Sequence, residues 1–67
     1  MSVLKVIEIL ASSEVSWEDA VKNAVKSASK TLKGIRSVYI QEQSVVVKEG
    51  EVAEFRVNCK ITFEVFD

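Results

Sequence analysis

The chain has no histidine, no proline, a single cysteine and two glycines among its 67 residues, and the missing side chains close off several kinds of chemistry. Without an imidazole, nothing is available to activate Ser12, Ser13 or Ser16, so hydrolase chemistry is excluded and these serines read as loop and helix-capping residues. One cysteine leaves no partner for an intrachain disulfide, and no Cys/His set exists to hold a structural metal. The carboxylates of Glu49, Glu51 and Glu54 gather about a turn at a spacing that fits no calcium loop, which makes them an exposed acidic turn. No catalytic residue and no metal site are expected, and the protein is not expected to be an enzyme.

Charge is also in short supply. Nine Lys and Arg against ten Asp and Glu give a formal net charge of −1, with the two signs interspersed. There is no basic surplus of the kind a phosphate backbone requires, so nucleic acid is not an expected partner. The opening residues, MSVLKVIEIL, carry Lys5 and Glu8 inside their apolar run and lack a small-residue cleavage site. No stretch approaches membrane-spanning length. The expectation is a protein without a signal peptide or a membrane partner, cytoplasmic, with its thiol kept reduced.

What the chain does contain is alternation. From Val52 to Phe66 the even positions carry Glu54, Arg56, Asn58, Lys60, Thr62 and Glu64, and the odd positions carry apolar residues from Ala53 to Val65. That period of two predicts a half-buried strand, and it places Cys59 on the apolar face between Val57 and Ile61. Lys60 and Arg56, the cations nearest by sequence, point to the other face. Val3 to Leu10 forms a shorter strand, interrupted at Ala11 to Glu14. Ser16 with Asp19 three residues on has the form of a capping box, Val15 is placed to staple against Ala20, and Trp17, Ala20, Val21, Ala24, Val25, Ala28 and Leu32 share one helical face. Gly34 is expected to cap a helix of about 18 residues, roughly 27 Å long. Arg36 to Lys48 reads as a second strand, and Glu49-Gly50-Glu51 as the turn into the last. In that second strand Val38, Ile40 and Val46 take one parity and Tyr39, Val45 and Val47 the other, which predicts a bulge or a passage from the core into a subunit interface.

The fold class is therefore α+β. The order is β-α-β-β, with a three-stranded antiparallel sheet and one helix packed on one face, and residues 1–67 form a single domain. A chain of this length buries only roughly 60% of its unfolded surface, while 48% of its residues are hydrophobic. Oligomerisation is the remaining common means of stabilising so small a core. A closed homo-oligomer is predicted, with Val45, Val47, Val65 and Phe66 at subunit contacts.

The element order, the Ser13-to-Trp17 helix entry SEVSW and the strand that begins EFRV at Glu54 together resemble the dodecins, small β-α-β-β proteins that form hollow homo-oligomers and usually bind flavins. The similarity spans nearly the whole chain. In flavin-binding dodecins a tryptophan at the start of the second strand stacks on the isoalloxazine, and a glutamine on the third strand meets its polar edge. The matching positions here are Ser37 and Arg56, with Tyr39 next but one to Ser37, and these substitutions count against flavin. A cysteine at position 59 is similar instead to the small archaeal selenium-binding relatives of the dodecins. That resemblance implies a carrier that holds selenium on the Cys59 sulfur and delivers it to a selenium-activating enzyme. The alternatives are a dodecin-type flavin store using Ser37, Tyr39 and Arg56, and a purely structural assembly without ligand, in which Cys59 is only a small buried hydrophobe.

Overall fold

The computed structural model describes residues 3–65, and in them the order is β1 (Val3–Ser13), α1 (Trp17–Ala28), β2 (Ile35–Lys48) and β3 (Glu51–Val65). The three strands form one antiparallel sheet in the order β1-β3-β2, so the last strand lies in the middle and pairs with both others. Fold class and element order are as the sequence implies. Among these residues no helix is long and apolar enough to cross a membrane.

The alternation of β3 does what its period demands. Val57, Cys59 and Ile61 are fully buried on the face that carries the helix, whose contribution is Ala20, Ala24 and Ala28. Three alanines at i, i+4 and i+8 leave the helix surface thin, so its backbone settles close to the sheet. Ile9, Ala11, Trp17, Val21 and Val38 complete the packing around Ala20, Ala24, Val57 and Cys59.

The corner from β1 into α1 is built by three side chains. The Ser13 hydroxyl donates to Asp19 Oδ2 at 2.6 Å and accepts from the Val15 N–H at 2.9 Å. Ser16 is the N-cap, in extended backbone, and its Oγ accepts from the Asp19 N–H at 2.9 Å. Ser16 caps the helix as predicted, but the box is not reciprocal, since the Ser16 N–H donates to Ser13 Oγ at 3.4 Å and not to Asp19, and Val15 is 75% exposed and staples nothing. Nor does Ala11 break the first strand, which runs on to Ser13 because Ala11, Ser12 and Ser13 stay in register with Val57, Arg56 and Phe55.

The helix is shorter than its apolar periodicity suggests. It ends at Ala28 with Ser29 as C-cap, and Leu32 is tied back only by its N–H to the Ala28 carbonyl at 2.9 Å. Gly34 is not a helix cap. At φ +76° it turns the chain into β2, and its carbonyl accepts from the Glu64 N–H at 3.0 Å, which fastens the start of β2 to the end of β3. Twelve helical residues span about 18 Å, against a molecule 51 Å long. The helix packs on β1 and β3 and leaves most of β2 uncovered.

The predicted bulge in β2 is present, and it changes the reading of that strand. Register shifts fall at Arg36, at Gln41 and, on the β3 side, at Ala53. The extra residue at Gln41 resets the phase, so Val38, Ile40 and Val45 all pair with helix-side residues of β3, namely Ile61, Cys59 and Phe55. Most of its aliphatic residues share the helix side, whereas Tyr39 and Val46 pair with Lys60 and Glu54 on the other face, and at its far end, past the cover of the helix, Val45 and Val47 remain 40% and 58% exposed.

Candidate functional site

Residues paired across an antiparallel sheet share a face, so the register defines the two surfaces. On the helix side Cys59 is 0% exposed, and its thiol donates to the Ile9 carbonyl at 3.6 Å. Burial pushes the thiol pKa up from its ordinary value of 9.0. Lys60 and Arg56 stand on the opposite face, as the alternation predicts, and lend the sulfur no charge stabilisation. A thiol that is enclosed, protonated and hydrogen-bonded has the environment of a packed hydrophobe and not that of a nucleophile.

The face away from the helix is the open one. Its rows, read from β1 through β3 to β2, are Val6–Thr62–Ser37, then Glu8–Lys60–Tyr39, then Leu10–Asn58–Glu42, then Ser12–Arg56–Ser44. Ser37 and Tyr39 occupy adjacent rows, and the Tyr39 ring is 53% exposed. Arg56 shares their face but lies four residues along β3 from the row of Tyr39 and six from that of Ser37. At about 3.3 Å per residue these separations are roughly 13 and 20 Å. Of the positions singled out for a planar ligand, one subunit therefore joins Ser37 and Tyr39 and leaves Arg56 apart.

Sequence reasoning missed part of this surface. Leu4, Val6 and Leu10 project from β1 onto the open face and are exposed there, although the two-sided apolar pattern of VLKVIEIL was a signal for it. Asn58 was also passed over. Its Oδ1 is buried among its neighbours on this face without a hydrogen-bond partner. Trp17 packs within the subunit, as expected. Its ring meets Phe55 edge-on with centroids 5.1 Å apart, and its Nε1–H donates to the Ser44 carbonyl at 3.0 Å.

Neither face has an enclosed cavity among the described residues, and no three His, Cys, Asp or Glu side chains there converge as a metal site. The surface offers a shallow ledge with one aromatic ring, flanked by a lysine, a glutamate and aliphatic side chains. Such a ledge suits a flat ligand that a second surface covers.

Comparison with known proteins bears on what that surface does. The Dodecin family model matches residues 3–66. Calcium dodecin of Mycobacterium tuberculosis is 34% identical over 64 residues, covering 96% of this chain and 90% of that protein. Among solved structures, dodecin from Streptomyces coelicolor superposes with a TM-score of 0.95 at 27% identity, covering 98% of this chain and 94% of the other. The structure of the M. tuberculosis calcium dodecin, described as having a novel calcium-binding site, gives 0.85 at 33% identity over 97% and 93%. With the family model, the identity and the superposition in agreement over nearly the whole β-α-β-β chain, the chain belongs to the dodecin family.

Proposed function

We propose that this protein is a ligand-holding dodecin that assembles with copies of itself and binds a flat heteroaromatic ligand of the flavin type on the face away from the helix, with Tyr39 as the stacking ring. The observation that carries this reading is the exposure of Tyr39 beside Ser37 on the open face, while the chain's one thiol is shut inside. Ser37 cannot stack. Tyr39 lies on the same face about 7 Å further along the strand, and an offset aromatic stack there contributes about 1 kcal/mol beyond its buried area. Lys60, directly opposite Tyr39, supplies a donor at the ledge. Arg56, too distant within one subunit, enters such a site only from a second copy.

Assembly draws support from size. A compact domain of this length has a radius of gyration of about 11 Å and one of this mass exposes about 4,250 Å². The subunit measures 13.7 Å and 4989 Å². It is too long and too exposed to be finished as a monomer.

Selenium carriage by Cys59, with a selenium-activating enzyme as recipient, is the weaker reading. None of the relatives named above is described as binding selenium, and the thiol is enclosed. Calcium, by likeness to calcium dodecin, would need carboxylates from more than one subunit.

Titration of riboflavin with the protein, followed by flavin fluorescence, tests the proposal. Quenching at micromolar protein is expected, with Tyr39→Ala weakening it about tenfold. Unquenched flavin, or equal binding by wild type and Tyr39→Ala, would overturn it. Parallel loading with selenite and glutathione decides the other reading, since equal selenium per subunit in wild type and Cys59→Ser removes Cys59 as carrier.

A further inference from the structure

Asn58 stands in the middle of the open face, on the central strand β3, with Leu10 of β1 on one side and Glu42 of β2 on the other. Its Oδ1 is the one buried side-chain nitrogen or oxygen without a hydrogen-bond partner among the described residues. An acceptor left unpaired in this way costs free energy that an arriving donor recovers. The helix lies on the other face of the sheet, so only neighbouring side chains shield this atom, and two of them, Leu10 at 63% exposed and Glu42, stand in solvent and are free to swing aside.

Tyr39 lies diagonally across from Asn58, one row away, at the roughly 7–8 Å that separates diagonal neighbours in a sheet. A fused ring stacked on Tyr39 spans that separation and brings its edge to the carboxamide. Around Asn58 the charges of Glu8 and Glu42 are matched by those of Lys60 and Arg56 on the same face, a balance that suits a neutral ligand and not an ion.

We propose that Asn58 is the specificity-determining residue of the ledge: its carboxamide pairs with a lactam edge, a ring N–H beside a carbonyl, on the flat neutral ligand that Tyr39 stacks. Oδ1 accepts from the ring N–H, and the Nδ2 amide donates to the adjacent carbonyl, the two-point match that a carboxamide offers. An aromatic face takes any flat ring, so selection falls to Asn58. A ring alkylated at that nitrogen leaves Oδ1 unpaired and is rejected. The inference rests on the flavin-type reading above and adds the chemical group that the ledge recognises.

Lumiflavin and 3-methyllumiflavin test it, because they differ only in whether the nitrogen between the two ring carbonyls carries a proton or a methyl group. Fluorescence titration of both should show the wild type preferring lumiflavin by about tenfold, the effect of leaving one buried acceptor unpaired. Asn58→Leu should bind lumiflavin more weakly and hold the two flavins alike. Asn58→Ala, which also opens room for the methyl group, should level them in the same way. Sedimentation velocity of both variants should match the wild type. Dissociation of Asn58→Ala would place the missing donor on a second copy of the chain and overturn the proposal. If the wild type does not prefer lumiflavin while Tyr39→Ala still weakens binding, or if the preference survives in Asn58→Ala, Asn58 selects nothing and the flavin-type reading stands. A wild type that binds neither flavin overturns both.

Discussion

Cys59 shows how far one residue's chemistry depends on its surroundings. The only soft nucleophile of the chain, it sits between Val57 and Ile61 under Ala20 and Ala24, where desolvation disfavours the thiolate. The folded thiol therefore keeps its proton at a pH where the unfolded chain, titrating near 9.0, has lost it. Because the folded pKa is raised, stability is complete below about pH 9 and falls above it, by at most about 1.4 kcal/mol per pH unit, until the folded thiol ionises as well. Cys59→Ala, which costs about 1 kcal/mol at neutral pH, should flatten this alkaline decline when urea midpoints are compared from pH 8 to 10. Alkylation tests the same environment kinetically. Native Cys59 should react with iodoacetamide at least about a hundredfold more slowly than in urea, since reaction waits on opening of the core.

At the scale of elements, the corner before the helix and the hairpin turn are the places where local chemistry decides. Ser16→Ala removes the acceptor for the Asp19 N–H and should cost about 1 kcal/mol, read as a lower thermal midpoint. The hairpin turn carries Glu49 at φ +52° and Gly50 at φ +77°, the backbone of a two-residue turn that favours Asn-Gly. A glutamate in that left-handed conformation is strained, so Glu49→Asn should raise stability by about 0.5–1 kcal/mol. The helix itself is limited by its end. Leu32 has the right spacing for the apolar face, yet the turns after Ala28 carry the chain toward Gly34, whose carbonyl is held by the Glu64 N–H.

For the whole molecule the governing fact is a mismatch of lengths. A helix of about 18 Å packs on β1 and β3 in a molecule whose long axis is 51 Å, and the uncovered end carries the valines. Val45→Lys together with Val47→Lys should dissociate the assembly and lower the thermal midpoint strongly, because a subunit this small gains much of its stability from its neighbours. A midpoint that rises with protein concentration in the wild type and not in the double variant is the measurement that checks it. Val65, also assigned to a contact, is half-buried in the subunit, and Phe66 lies outside the described residues.

The division between sequence and structure follows from the range of the forces involved. Element type and order, the Ser16 cap, the Glu49-Gly50 turn and the burial of Cys59 were legible in the chain alone, because each depends on neighbours within a few residues and on a period of two or 3.6. The pairing of β3 between β1 and β2, and the bulge at Gln41 that brings Val38, Ile40 and Val45 to one face, depend on register between segments far apart in sequence. That register placed Ser37 with Tyr39, set Arg56 roughly 20 Å from Ser37, and put Leu4, Val6 and Leu10 on the open face. The length of the helix was likewise a tertiary decision. Its apolar periodicity continues to Leu32, but an apolar face persists as helix only while there is a sheet for it to cover, and the fastening of Gly34 to Glu64 takes the chain away first.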